Sequence, residues 1–433
     1  MNRGFSFLLL YFILLAPIAC SKQDKVSSTL PGKDNTELVN TLHLERLTVP
    51  VTFPNGNTAE AIYIYSNAPN YNLVGADGEG FTCVDDVART VQFYVRSSKF
   101  SSEQTVRLKT FNLIRFIINM QSENGYFYNF LQSGNVINKT GITSVNQPKW
   151  WSWRALQALT EAAPLIKAYD IQLSNQTDLA INKLVDRIKS DLVNLPKTSA
   201  TIKGIIIPQW LPEGADAGAT LILALIPYAK TSGDIIIKEY IRKLADGIVL
   251  MQFGDASNFP YSGFLSSGNL WHAYGSDQAH ALIQAGLFLE NTNYINKAMA
   301  EVDNFYPWLF QNGFKYSFEV ENINNVLVPK NVQDYEQIAY GIRPYVFAAL
   351  DAFEITKNEK YADMAARFTS WFMGNNVAGT AMYSVSTGRC YDAINAGGAI
   401  NQNAGAESCI EALLTMQRVN KYPAVIAALT KYK

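Results

Sequence analysis

Residues 81–90 read FTCVDDVART, two adjacent carboxylates followed closely by an arginine. Asp85 and Asp86 open an apolar stretch, Val87–Val95, patterned as the first turns of a helix. Successive helical side chains point about 100° apart, so only one of the pair can face a given cavity squarely. Arg89 lies four residues after Asp85 and three after Asp86, spacings at which helical side chains meet. It can hold one aspartate ionised, the state a general base requires. The slight preference for the cavity-facing position goes to Asp86.

A second carboxyl of opposite character stands near the C-terminus. Glu407 lies in NAGAESCIEALL, among small residues that leave space beside it. A desolvated glutamate has its pKa raised, as a proton donor requires. Glu411 follows one turn later and reads as structural. Further acids recur at the starts of predicted helices: Glu213 and Asp216 in LPEGADAG, Asp277 in YGSDQAH, and Asp334 beside Tyr335. Asp277 is the third candidate for the catalytic set. His280, three residues after Asp277, reads as a satisfied core histidine.

Acids at helix starts have an ordinary explanation, since capping and the helix dipole each favour them by about 0.3–1 kcal/mol. That explanation covers any one acid. It does not cover Trp150, Trp151, Trp153, Trp210 and Trp271, which stand at the same helix starts, with Arg154, His272 and Asn403. Of seven tryptophans only Trp308 and Trp371 fall on other helices. Carboxyls for proton transfer and aromatic platforms for sugar-ring faces together describe a carbohydrate cleft.

The elements that must position these residues repeat every 60–70 residues or so. Helical periodicity predicts apolar helices at 84–98, 149–168, 214–230, 275–289, 335–354 and 404–418. Each is followed by an amphipathic one, at 103–120, 176–194, 234–252, 292–310, 358–373 and 422–431. Helices apolar all round are buried, and amphipathic ones lie outside them. Turn residues with aromatic alternation at 120–130, 251–264 and 310–318 predict short hairpins at one end of the molecule. Pro164, Pro227 and Pro344 are expected to kink or split their helices.

Six helical hairpins in sequence predict an all-α (α/α)6 toroid, and the chain from about residue 80 resembles the six-hairpin glycosidases. Its tail, WFMGNN through MYSVSTGRCYD to NQNAGAES, is similar to the closing segment of glycoside hydrolase family 9. Gly374, Asn375, Thr387 and Gly388 correspond, whereas Asn376 and Val377 replace that family's Arg and Pro, and adjacent aspartates replace its D-A-G-D motif. The resemblance implies that Asp85 or Asp86 is the base and Glu407 the acid, brought together by ring closure. The activity it implies is inverting hydrolysis of an oligo- or polysaccharide. Arg89, Trp150, Trp151, Arg154, Trp210, Glu213, Asp216, Trp271, His272, Asp334, Tyr335 and Asn403 are the expected sugar-contacting residues.

Two other readings use the same residues. A polysaccharide lyase would draw its base and carboxylate-neutralising groups from Tyr274, His272, Tyr335 and Arg154. A non-catalytic glycan-binding protein would use the tryptophans alone.

The flanks and composition set the remaining expectations. Residues 1–20 have the layout of a secretory signal, and PIAC at 17–20 resembles a lipobox with Cys20 as the lipidated residue, Pro17 departing from it. Residues 21–37 read as a flexible tether, 38–80 as a small β-rich cap including AEAIYIY, and 81–433 as the barrel. Formal charge is −1, without the basic footprint of a nucleic-acid binder. The three histidines and the cysteines form no zinc pattern, and no cofactor is expected. The expected partners are a carbohydrate and, through the N-terminal lipid alone, a membrane of the bacterial cell envelope; a monomer is expected.

Overall fold

The structure, a computed structural model, describes residues 38–432. The expected signal, Cys20 and the tether lie outside the described residues.

An inner ring is formed by Val84–Val95, Trp150–Ile166, Ala215–Ser232, Gln278–Leu289, Arg343–Thr356 and Ala406–Val419. Each packs on the next, and the sixth returns to the first, which closes the ring. The outer helices are Gln104–Asn119, Ile171–Ile188, Ile235–Val249, Glu359–Thr369 and Pro423–Leu429, with a fourth in three parts. That helix runs Thr292–Ala300, through a π-turn at Glu301–Phe305, into Tyr306–Asn312. The fold is the (α/α)6 toroid that the repeat predicts.

Burial follows the two kinds of periodicity. Every residue of Val84–Val95 is buried. Ile171–Ile188 instead buries Leu173, Thr177, Ala180, Ile181, Leu184 and Ile188, one stripe at helical spacing. Capping divides the same way. Asp170, Asp234, Asn291 and Asn358 accept a backbone N–H at the start of an outer helix. None of the six inner helices has a side-chain cap. The acids at the inner starts are therefore free of that duty.

The prolines behave differently from expectation. Pro164 and Pro227 lie inside helices that continue through them. Pro344 stands in the first turn of its helix, where its fixed φ and missing N–H are tolerated. The fifth inner helix accordingly begins at Arg343 rather than 335, preceded by a 3-10 turn at Ala339–Gly341.

Residues 38–80 hold a short helix, Leu42–Leu47, and an antiparallel pair, Thr48–Thr52 with Thr58–Ile62, in the register Val51 to Ala59. Leu44, Leu47 and Val51 share one hydrophobic core with the barrel helices. At the site end, Gly405 admits close approach of this segment, because a Cβ there would lie 2.7 Å from the Ile64 carbonyl oxygen. The outer-to-inner connections include the expected contacts Gln121 to Phe127 and Gln252 to Phe264. The third forms a larger sheet than expected, with Ser317–Ile323 between Leu270–His272 and Val326–Gln333.

An ionic staple joins three consecutive inner helices. Asp351, fully buried on the fifth, accepts from His280 on the fourth and from Arg418 on the sixth. Burial draws its carboxyl upward, but Arg418 and then His280 outweigh burial and bring it to about 2. Removing one partner of such a buried network leaves uncompensated charge, so Asp351→Ala should cost about 3–5 kcal/mol. This reads as a lower denaturant midpoint with an unchanged m-value. The folded value lies below the ordinary 3.8, so the contribution is complete above about pH 4. It is lost as pH falls towards 2, and the gap between wild type and variant should narrow over that window.

Candidate active site

The inner-helix N-termini bring Asp85, Asp86, Asp277, Glu407 and Glu411 around three arginines. Arg89, 1% exposed, is the hub. It donates to Asp85, to Glu407 at 3.0 Å and to Glu411 at 3.0 Å, and lies 3.4 Å from Asp86. Arg343 forms a two-pronged pair with Asp277 at 2.6 and 2.8 Å and meets the other oxygen of Glu411 at 2.5 Å. Arg154 lies 2.5 Å from Asp85 and donates to the Tyr340 hydroxyl. The Tyr340 ring sits 5.0 Å from the guanidinium carbons of both Arg89 and Arg154. Gly275 makes room for it, since a Cβ there would lie 2.6 Å from the Tyr340 hydroxyl.

The adjacent aspartates are distinct in state. Asp85 is held between two guanidinium groups. Asp86, 4% exposed, accepts from the Cys83 thiol at 3.3 Å, and its other oxygen makes no hydrogen bond. Burial first, and then the charge of Glu407, push the Asp86 carboxyl up to about 7. Asp277 is equally buried, yet Arg343 outweighs burial and holds it below the ordinary carboxylate range. Glu407 is the accessible member, its side chain 41% exposed. The sequence predicts the proton donor at Glu407; the structure raises the carboxyl of Asp86.

The other expected sugar-contacting residues divide between mouth and packing. Asp216 stands at the mouth, with one oxygen 3.4 Å from His272 Nε2 and the other buried without a partner. The His272 ring stacks on Tyr274 with centroids 3.7 Å apart. Trp150 is 37% exposed and keeps a free surface. Trp151, Trp210 and Trp271 are buried to 4% or less and cannot serve as platforms. Trp151 donates to the Phe127 carbonyl, Trp210 to the Lys243 carbonyl, and Trp271 stacks on Phe318. Glu213 pairs with Lys149 and accepts from the Trp150 backbone, tying the second inner helix to the third.

Asp334 is bound to Lys315 at 2.6 Å in an exposed strand connection, and Tyr335 is half-buried beside it. Both precede the helix by a full connection, because that helix starts only at Arg343. Asn403 accepts from the Ala68 backbone at 3.0 Å and anchors the N-terminal segment. Tyr340 and Arg343 are the central residues absent from the sequence reading. The local signal for Arg343 was Pro344, which marks a helix start. Nothing in their neighbourhoods marks Tyr340 as central. Cys83, Cys390 and Cys409 are buried free thiols. Among the described residues, no three His, Cys, Asp or Glu side chains are grouped to hold a metal ion.

Neither a scan against protein-family models nor a search of curated proteins returns a match. Solved structures do match. A sugar epimerase from a ruminal bacterium aligns with a TM-score of 0.60 at 12% identity, covering 83% of this chain and 92% of its own. Cellobiose 2-epimerase from Bacillus thermoamylovorans aligns at 0.58 and 13%, covering 90% and 97%. A metagenome-derived glycoside hydrolase family 9 endoglucanase aligns at 0.52 and 9%, covering 88% and 79%. By fold, the chain is similar to these structures and shares their (α/α)6 toroid.

Proposed function

We propose that the protein is a carbohydrate-active enzyme that hydrolyses glycosidic bonds, with Asp86 as proton donor and Glu407 as its charged partner. One observation carries this reading: a buried carboxyl raised to about 7 lies beside an accessible, arginine-bonded glutamate at the loop end of a toroid. Such division of two carboxyls into protonated and ionised roles is what glycoside cleavage needs. Asp86 and Glu407 share one Arg89 nitrogen, at 3.4 and 3.0 Å. One guanidinium nitrogen thus contacts both carboxyls, and the stereochemical outcome turns on whether Glu407 attacks carbon or activates a water.

The two-carboxyl roles predict that Glu407→Gln and Asp86→Asn each lower kcat/KM on the responsive glycan by about 10²–10⁴-fold. Circular dichroism should report intact folding in both. Full activity in both variants would sink the assignment, and proton NMR of the first-formed anomer separates retention from inversion.

Activity should decline as pH rises above about 7, because the donor must be protonated. The Cys83 thiol stabilises the charged form of Asp86 through its hydrogen bond. Cys83→Ala removes that bond, raises Asp86 further, and should move the basic limb to higher pH. A limb that stays in place or moves down contradicts the assignment.

A second reading is sugar epimerisation, favoured by the His272–Asp216 contact and by the sugar epimerases among the fold matches. Here His272 would relay a proton beside a sugar carbonyl. NMR of the products distinguishes the two: hydrolysis increases the number of reducing ends, whereas epimerisation changes sugar identity at constant number.

The proposal includes export and an N-terminal lipid anchor, on the strength of PIAC and Cys20. Among the described residues no helix is long and apolar enough to cross a membrane. Cys20→Ala should move the protein from the membrane to the soluble fraction of cells expressing the full chain.

A further inference from the structure

The inner helices end at a second mouth, opposite the carboxylate cluster. There a cavity of about 360 Å³ is walled by residues from all six of them. That volume falls within the roughly 300–1,000 Å³ of small-molecule sites. We propose that this far mouth binds a small hydroxylated anion, a sugar ring carrying a carboxylate or a phosphate.

The charge account points to an anion. Arg96 spends two N–H groups on Glu161, at 2.8 and 2.6 Å. Arg418 is held by Asp351 and, at 3.3 Å, by Glu354. Lys230 and Lys421 line the same cavity, and among the described residues neither forms an ion pair. Cations at helix C-termini complement the dipole, and that accounts for Lys230 and Arg418 in the last turns of their helices. Lys421, just past the end of the sixth inner helix, adds a further cation at the same mouth. Burial, with Arg96 and Arg418 close by, holds its ammonium below the ordinary lysine range. A bound anion would relieve that crowding.

The rest of the wall suits a hydroxylated ring. His280 turns Nδ1 to Asp351, and among the described residues Nε2 has no hydrogen-bond partner. Gln284 and Gln417 add amides, and Phe347 supplies an apolar face. Just above lies a smaller cavity of about 20 Å³ that shares Arg96, Gln157 and His280 with the larger one. It is lined by Gln92, whose side-chain nitrogen is buried without an acceptor.

Titration calorimetry of the purified protein with glucuronate, glucose 6-phosphate and glucose tests the site. At least one anion should bind in a lysine-dependent way, and any heat from glucose should be the same in the Lys230→Met, Lys421→Met variant. The arms distinguish carboxylate from phosphate recognition. Lys230→Met with Lys421→Met should weaken binding by about tenfold or more, since unscreened charge-assisted contacts are lost. Glu407→Gln should leave anion affinity unchanged, which separates this site from the one proposed for hydrolysis. Absence of binding by both anions, equal affinity in the lysine variant, or loss in Glu407→Gln alone would each overturn the proposal.

Discussion

The toroid closes around the Arg89 guanidinium. It sits on the first inner helix and bonds Glu407 and Glu411 on the sixth, across more than 300 residues of chain. Taking an arginine out of water costs several kcal/mol, and only well-placed carboxylates with further hydrogen bonds recover it. Those carboxylates exist together only when the ring is shut. Arg343 extends the same logic to the fourth and fifth helices through Asp277 and Glu411.

The cluster also explains how its chemistry arises. Three guanidinium groups face five carboxyls, so full ionisation would leave a buried excess of negative charge. The excess falls on the member with the least cationic contact. Asp85 touches two arginines and Asp277 is gripped by both arms of Arg343. Asp86 has one arginine nitrogen at 3.4 Å and a thiol. It is therefore the one driven to hold a proton. Retaining a weakly paired carboxyl beside a strongly paired one produces an acid and a charged partner without any special local motif.

Much of this was legible in the sequence, because inner and outer helices differ in periodicity and that difference survives folding as burial. The acids at inner-helix starts were legible for the same reason, and the missing caps show that hydrogen-bonded capping does not explain them. The tryptophans misled. Spacing places Trp151, Trp210 and Trp271 at the correct end, but does not say whether a ring faces solvent or a neighbouring helix. Asp334 and Tyr335 were drawn into the site by extending a helix back past Pro344, whose place is the first turn. Tyr340 was missed because its importance comes wholly from three arginines on three other segments.

The aromatic surface left at the mouth is mainly tyrosine. Tyr274 lies 5.7 Å from Tyr316 and 6.5 Å from Tyr340 by ring centroid, and stacks on His272. Tyrosine offers a face for a sugar ring and a hydroxyl for its edge, which suits a hydroxylated ligand better than buried indole does. Charge then bears on which sugar. Arg89, Arg154 and Arg343 are all committed to protein carboxylates, and Glu407 and Asp216 add negative charge where a ligand would enter. A uronate arriving there meets no uncommitted cation within the cluster and would leave its own carboxylate desolvated and unpaired. This weighs against the lyase reading, which needs such a cation, and favours neutral or amino sugars at the loop mouth.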